Sequence, residues 1–195
     1  MDKTDKDSGK KTGPAICVFC GSSFGTDPAF REAARIVGAG IAGMGARFVF
    51  GGGGLGLMGE TARAAREAGS PVLGILPGFL RDVEPPLTHG ETTEIVSDLF
   101  VRKQKMIALS DAFVILPGGL GTFDEFFEVL TAAQLHVEAK PIVVVNVNGY
   151  FDPLDTLVRH TIKMGFARDT ALSLYDLADG PEAALATLKR ALMLT

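Results

Sequence analysis

An apolar run, Asp111-Ala112-Phe113-Val114-Ile115-Leu116, leads straight into Pro117-Gly118-Gly119-Leu120-Gly121-Thr122, and Phe126, Phe127, Val129 and Leu130 then continue at helical spacing. A buried strand that turns through three glycines into a helix is the join of an α/β chain. Small residues there let the backbone approach a ligand with its N–H groups exposed. The first turn of the helix adds unpaired donors and the positive end of its dipole. Such a corner cradles a phosphate or a carboxylate. Thr122 and Glu125 also fit a capping box, in which Thr caps the helix and Glu reaches back to the Thr N–H. On the sequence alone the turn reads either way. An anion on this loop would set Glu125 beside another negative charge, which is unfavourable unless cations offset it or the carboxylate has a chemical task.

The rest of the chain repeats the strand–turn–helix pattern. Ala15–Phe19 reads as the first strand, Asp27 caps a helix with Pro28 at its first position, and Arg47–Phe50 is the second strand. A helix over Glu60–Ala68 and a strand over Pro71–Leu76 follow, then a short strand at Glu94–Val96 and a helix over Asp98–Leu109. Beyond the central turn the pattern predicts a helix over Phe123–Gln134, a strand over Pro141–Val145 and a turn at Asn148-Gly149. It also predicts a helix over Asp152–Lys163, an edge strand at Ser173–Asp176 and a last helix from Pro181 to near Leu194. Alternating strands and helices imply right-handed crossovers. The expected fold is α/β, a single doubly wound, Rossmann-like domain over 14–195, with a parallel sheet and helices on both faces. Residues 1–13 form a polar tail expected to be disordered. In such folds ligands bind beyond the carboxyl ends of the strands, where each glycine-rich turn of this chain falls.

Composition narrows the function. The chain has 195 residues, enough for one substantial core, and its formal net charge of −4 gives no electrostatic case for nucleic-acid binding. No apolar run is long enough to span a bilayer, and MDKTDKDSGKKTG lacks the apolar core of a signal peptide. Together with the missing disulfide framework, this sets the expected location as cytoplasmic. Cys17 and Cys20 lie on an apolar strand rather than opening a helix, so two reduced thiols facing a core are expected instead of a redox pair. His89, His136 and His160 show no metal-ligand spacing, and no metal site is expected. Gly54-Leu55-Gly56-Leu57-Met58-Gly59 matches the GxGxxG pattern, but the next strand ends in Ile75-Leu76-Pro77-Gly78, without the acidic residue that would bind a dinucleotide ribose. That turn is expected to serve close packing and to wall the same pocket. The Pro77–Gly90 stretch, with Arg81, Asp82, Glu84 and Pro85-Pro86, is long enough for a pocket edge or lid. Arg102, Lys103 and Lys105 form a basic run on a helix whose simplest reading is a solvated face.

At Arg102-Lys103 and Pro117-Gly118-Gly119-Leu120-Gly121-Thr122-Phe123-Asp124-Glu125 the sequence resembles the Lonely Guy family of cytokinin nucleoside 5′-monophosphate phosphoribohydrolases, whose members were often mislabelled lysine decarboxylases. The family pattern is an Arg-Lys pair on a helix followed by PGGxGTxxE. The resemblance extends to Cys20-Gly21-Ser22-Ser23, to Gly51-Gly52-Gly53 with Gly56-Leu57-Met58-Gly59, and to Thr131. Where many members carry Met-His-Glu or a similar triplet before the Arg-Lys pair, this chain has Leu99-Phe100-Val101, apolar at positions implied to face the base.

The resemblance implies hydrolysis of a purine nucleoside 5′-monophosphate, N6-prenylated or AMP itself, to free base and ribose 5-phosphate, without cofactor or metal. It assigns catalysis to Arg102 and Glu125. The backbone of Gly118, Gly119, Gly121 and Thr122 would hold the phosphate, with substrate contacts from Ser23, Gly52, Glu84, Lys103, Asp124 and Thr131. It also implies a homodimer, with the helices near Arg102 and Glu125 at the interface. Two other classes remain. A non-catalytic nucleotide or cofactor carrier could use the same loop, and a pyridoxal-phosphate decarboxylase would need a Schiff-base lysine, for which the chain offers no convincing candidate: Lys103 and Lys105 sit on a basic helix and Lys140 precedes a strand.

Overall fold

Runs of Val, Ile and Phe, short and apolar on both faces, build the strands: β1 (Ala15–Phe19), β2 (Arg47–Phe50), β3 (Val72–Pro77), β4 (Thr93–Val96), β5 (Ala112–Ile115), β6 (Ile142–Val145) and β7 (Asp176–Ala178). Such runs suit a parallel sheet covered on both sides. The computed structural model of the chain describes residues 13–83, 85–86, 93–137 and 139–194. Most of the expected tail, Glu84 and His89 therefore lie outside the described residues.

Among those residues the strands form one sheet in the order β4-β3-β2-β1-β5-β6-β7, with every neighbouring pair parallel. Ile16, Val18, Phe48, Phe50, Val114 and Val143 face one side, where helices α1 (Pro28–Gly43), α2 (Gly56–Glu67) and α6 (Pro181–Ala191) cover them. Cys17, Phe19, Val49, Phe113, Ile115 and Val144 face the other, under α3 (Leu99–Ala108), α4 (Leu120–Gln134) and α5 (Asp152–Lys163). This is the doubly wound α/β domain expected. Phe19 and Phe113 stack across neighbouring strands with centroids 5.9 Å apart. Fully burying side chains of this size contributes about 1.5–3 kcal/mol each.

Three elements start three or more residues away from the sequence reading. Helix α2 starts at Gly56 rather than Glu60, and α4 starts at Leu120 rather than Phe123. Glycines depress local helix propensity, but tertiary contacts recruit both turns: Leu57 and Met58 are buried, as is Thr122. Gly119 is the N-cap of α4, and the Phe123 N–H bonds to its carbonyl at 3.2 Å. Thr122 is therefore inside the helix and the Thr122–Glu125 capping box does not form. The edge strand begins at Asp176, because Tyr175 is drawn into the core and donates its hydroxyl to Asp155 at 2.7 Å.

Helix α3 is fastened at both ends. Asp98 caps it, accepting the N–H groups of Phe100 and Val101 at 2.9 Å, bonds that hold its carboxyl below the ordinary aspartate value. At the other end Arg47 of β2 donates to the Leu109 carbonyl at 3.1 Å, and Lys140 donates to that of Ile107 at 2.9 Å. These contacts satisfy carbonyls that a helix end leaves unpaired.

The α1–α2 contact closes over Glu60, which is 7% exposed and bonded to Arg31 at 3.1 Å and Arg63 at 3.2 Å, with Arg35 at 3.6 Å. Burial favours the neutral acid, but the arginines outweigh it and hold the carboxyl below its ordinary value of 4.5. A lowered carboxyl pKa stabilises the fold above that ordinary value, and the gain is lost as pH falls through the lowered one. Glu60→Gln should thus cost about 1 kcal/mol at neutral pH. Urea unfolding midpoints of the two proteins should differ there and converge at acid pH.

Candidate active site

The order of the strands opens the site. β1 leads outward to β2, β3 and β4 on one side, and β5 starts the series on its other side, so the loops after β1 and β5 diverge. A cavity of about 250 Å³ lies in that cleft. The β1 turn contributes Cys20, Gly21 and Ser22, and the start of α4 contributes Gly119, Leu120, Gly121, Thr122 and Glu125. Gly51 follows β2, Met58 comes from α2, and Arg102 and Met106 come from α3.

Two helices begin at this cavity, and they differ in what their first N–H groups do. On α2 the Leu57 N–H bonds to the Ser23 carbonyl at 3.3 Å, and the Met58 N–H bonds to that of Gly21 at 3.1 Å. Gly56 sits at φ +55°, and a Cβ there would overlap the Ser22 backbone. The GxGxxG turn thus spends its donors on the β1 turn and serves packing, as its residues implied. The N-cap of α4 makes no side-chain bond and its first turn carries no acidic residue, so that end keeps its dipole and donors for an anion.

Arg102 enters from α3, one turn after the Asp98 cap. Its buried Nε has no hydrogen-bond partner, and its Nη2 lies 4.0 Å from the Met58 sulfur. A buried guanidinium N–H without a partner is unfavourable by about 1–3 kcal/mol, a cost that an arriving acceptor removes. Gly51 is what makes room for it, since a Cβ there would overlap Nη2. Glu125 is half-buried on the first turns of α4 and lines the same cavity. Burial first and the Glu125 charge second push the Cys17 and Cys20 thiols well above the ordinary cysteine value.

The candidate residues from the sequence separate into groups. Arg102, Glu125, Gly119, Gly121 and Thr122 line the cavity together. Gly118 and Ser23 line a neighbouring cavity of about 240 Å³ that shares Gly119, and Gly52 is buried beside Gly51. Lys103 points elsewhere, donating a hydrogen bond to Asp124 at 2.8 Å and forming an ion pair with Glu128 at 2.6 Å. Burial opposes its charge, but the two carboxylates outweigh this and raise its pKa. Thr131 is exposed on α4, six residues or about 9 Å along the axis from Glu125. Glu84 lies outside the described residues.

Gly51, Cys20, Ser22, Met58 and Met106 line the cavity without having been singled out as site residues. Gly51 could have been found, since it follows the strand paired with β1. Both thiols are free and face a core, as the sequence implied, and Cys20 also borders the cavity. Cys17 is fully buried on one face of the sheet, while the half-buried Cys20 packs toward the other. Positions three apart on an extended strand point to opposite faces, so the two cannot pair. Of the two thiols, Cys20 should alkylate about tenfold or more slowly than an unperturbed cysteine at neutral pH despite its place at the cavity. Mass spectrometry of the iodoacetamide-treated native protein, against the unfolded chain, measures this.

A family model described as "Possible lysine decarboxylase" matches residues 58–188. The probable cytokinin riboside 5′-monophosphate phosphoribohydrolase of Oryza sativa subsp. japonica is 39% identical over 86% of this chain and 68% of its own. The cytokinin riboside 5′-monophosphate phosphoribohydrolase of Rhodococcoides fascians is 36% identical over 92% of this chain and 91% of its own. Among solved structures, the molybdenum cofactor carrier protein of Chlamydomonas reinhardtii superposes with a TM-score of 0.69 at 23% identity, covering 93% of this chain and 99% of that one. That likeness is one of fold.

Proposed function

The chain belongs to the Lonely Guy family of cytokinin riboside 5′-monophosphate phosphoribohydrolases, and on that footing we propose that it hydrolyses the N-glycosidic bond of a purine nucleoside 5′-monophosphate to free base and ribose 5-phosphate. The observation that carries this reading is the meeting of Arg102 and Glu125 with the open N-terminus of α4 in one cavity.

The 5′-phosphate sits on the N–H groups of the Gly118–Thr122 corner, whose dipole offsets its charge. Breaking the bond from C1′ to the base builds positive charge on the ribose and negative charge on the departing base. Glu125 faces the oxocarbenium-like ribosyl and takes a proton from the water that attacks it, while solvent water delivers the matching proton to the departing base, which leaves neutral. Arg102 orients Glu125 and donates toward the substrate; its guanidinium is too weak an acid to supply the proton. Apolar Phe100 and Val101 replace the polar residues that many relatives carry before the Arg-Lys pair, so the base can be AMP-like or carry an N6-prenyl group. The chain acts as a homodimer in this reading, a state supported by the outward-facing Phe100 on α3 and Leu120 at the start of α4, 80% and 87% exposed. Lys103, Asp124 and Thr131, which face away from the cavity in one protomer, then act near the subunit contact, and Glu84 contacts the ribose or base.

The decarboxylase description finds no support in the lysines. Lys103 is held protonated by Asp124 and Glu128, Lys105 pairs with Glu94 and Lys140 bonds to the Ile107 carbonyl. A Schiff-base lysine needs a neutral amine at the reacting carbon.

Chromatography of released base from AMP and from isopentenyladenosine monophosphate tests the proposal. Glu125→Gln should lower release by about 10²–10³-fold while the nucleotide still binds. Nucleotide binding without release by the wild type would favour the carrier. Gly51→Ala should cost about tenfold or more through displacement of Arg102, with the melting temperature little changed. Sedimentation velocity should report a dimer, and Phe100→Glu should shift it toward monomer.

A further inference from the structure

The turn at Asn148-Gly149 delivers one side chain to the back of the phosphate corner. Asn148 and Gly149 both adopt positive φ, at 50° and 75°. The following Phe151 N–H is held by the Asn146 side chain at 2.8 Å, and Asn146 in turn donates to Asp152 at 2.7 Å. The Tyr150 ring is fixed edge-on against Phe30 and Phe151, with centroids 5.4 and 4.9 Å away. Its hydroxyl donates to the Gly118 carbonyl at 2.5 Å.

We propose that Tyr150 is a positioning residue that sets which way the Gly118–Gly119 peptide faces; the inference rests on the reading of this corner as the phosphate site. Glycine-flanked peptides rotate readily, and in the wrong orientation this one would present a carbonyl oxygen to the anion. A trans peptide carries its C=O and N–H on opposite sides, and the described residues contain no cis bond. With the Gly118 oxygen held by Tyr150, the Gly119 N–H faces away from the tyrosine. Tyr150 and Gly118 border the neighbouring cavity, whereas Gly119 also lines the one that holds Arg102 and Glu125. The preceding peptide is held in the same manner, since the Pro117 carbonyl accepts the Gly21 N–H at 3.0 Å. Both carbonyls of the corner are thereby turned onto protein donors, leaving N–H groups for the ligand.

Tyr150→Phe removes the hydroxyl and keeps the ring, so its melting temperature should fall by no more than about 4 °C. Calorimetric affinity for ribose 5-phosphate should fall about tenfold, the scale of one hydrogen bond to a charged group. In turnover of AMP, KM should rise by a similar factor with kcat within about twofold, the pattern of lost uniform binding. Equal affinity of both proteins for ribose 5-phosphate, no binding of it by the wild type, or a fall in kcat at unchanged KM would each overturn the proposal. A tenfold loss of ribose 5-phosphate affinity with no base released from any nucleotide would sink the hydrolase reading and leave the role of Tyr150 standing.

Discussion

The pairing of β5 with β1 is the constraint on which the rest of the molecule depends. Had the chain placed β5 beside β4, the sheet would run in one direction and the loops after successive strands would pack against one another. Instead α3 carries the chain back across the sheet, and Asp111 bonds to the Ala15 N–H and to its carbonyl as β5 enters beside β1. The loops after β1 and β5 then leave on opposite sides, and the helix that makes the return journey brings Arg102 to the gap. Topology, not a dedicated scaffold, creates the concavity.

Within that gap, charge is sorted by how well each group is satisfied. Lys103 and Arg102 are adjacent in sequence and opposite in circumstance. Lys103 is fully engaged by two carboxylates away from the cavity, while Arg102 keeps a buried Nε without a partner inside it. The two helix starts repeat the contrast: α2 has given its first donors to the β1 turn, and α4 has not. A ligand meets the groups that the fold has left unsatisfied, and their arrangement favours an anion.

Much of this was legible in the residues. The apolar runs located the strands, and the glycine corner with Thr122 and Glu125 marked the helix that faces the cavity. What escaped was set by contacts distant in sequence. A stretch such as Leu120-Gly121-Thr122 reads as loop by propensity, and only burial of Thr122 and Phe126 against the sheet makes it helix. Gly51 acquires meaning only when Arg102, on another element, is found to need its missing side chain. Cys20 looked like its neighbour Cys17 until the pleat put them on different faces. Tyr150 stood in an ordinary turn until the fold brought its hydroxyl to Gly118.

Helix α3 behaves as a beam clamped at both ends. Its start hangs from its own cap at Asp98, but its far end is gripped by Arg47, from the strand beside β1, and by Lys140, from the approach to β6. These grips come from opposite halves of the sheet. The height and roll of Arg102 in the cleft are consequently an average over both halves, much as a bridge deck records the settling of two piers. A change that shears one half of the sheet against the other would be felt at the guanidinium before any residue lining the cavity had itself been altered.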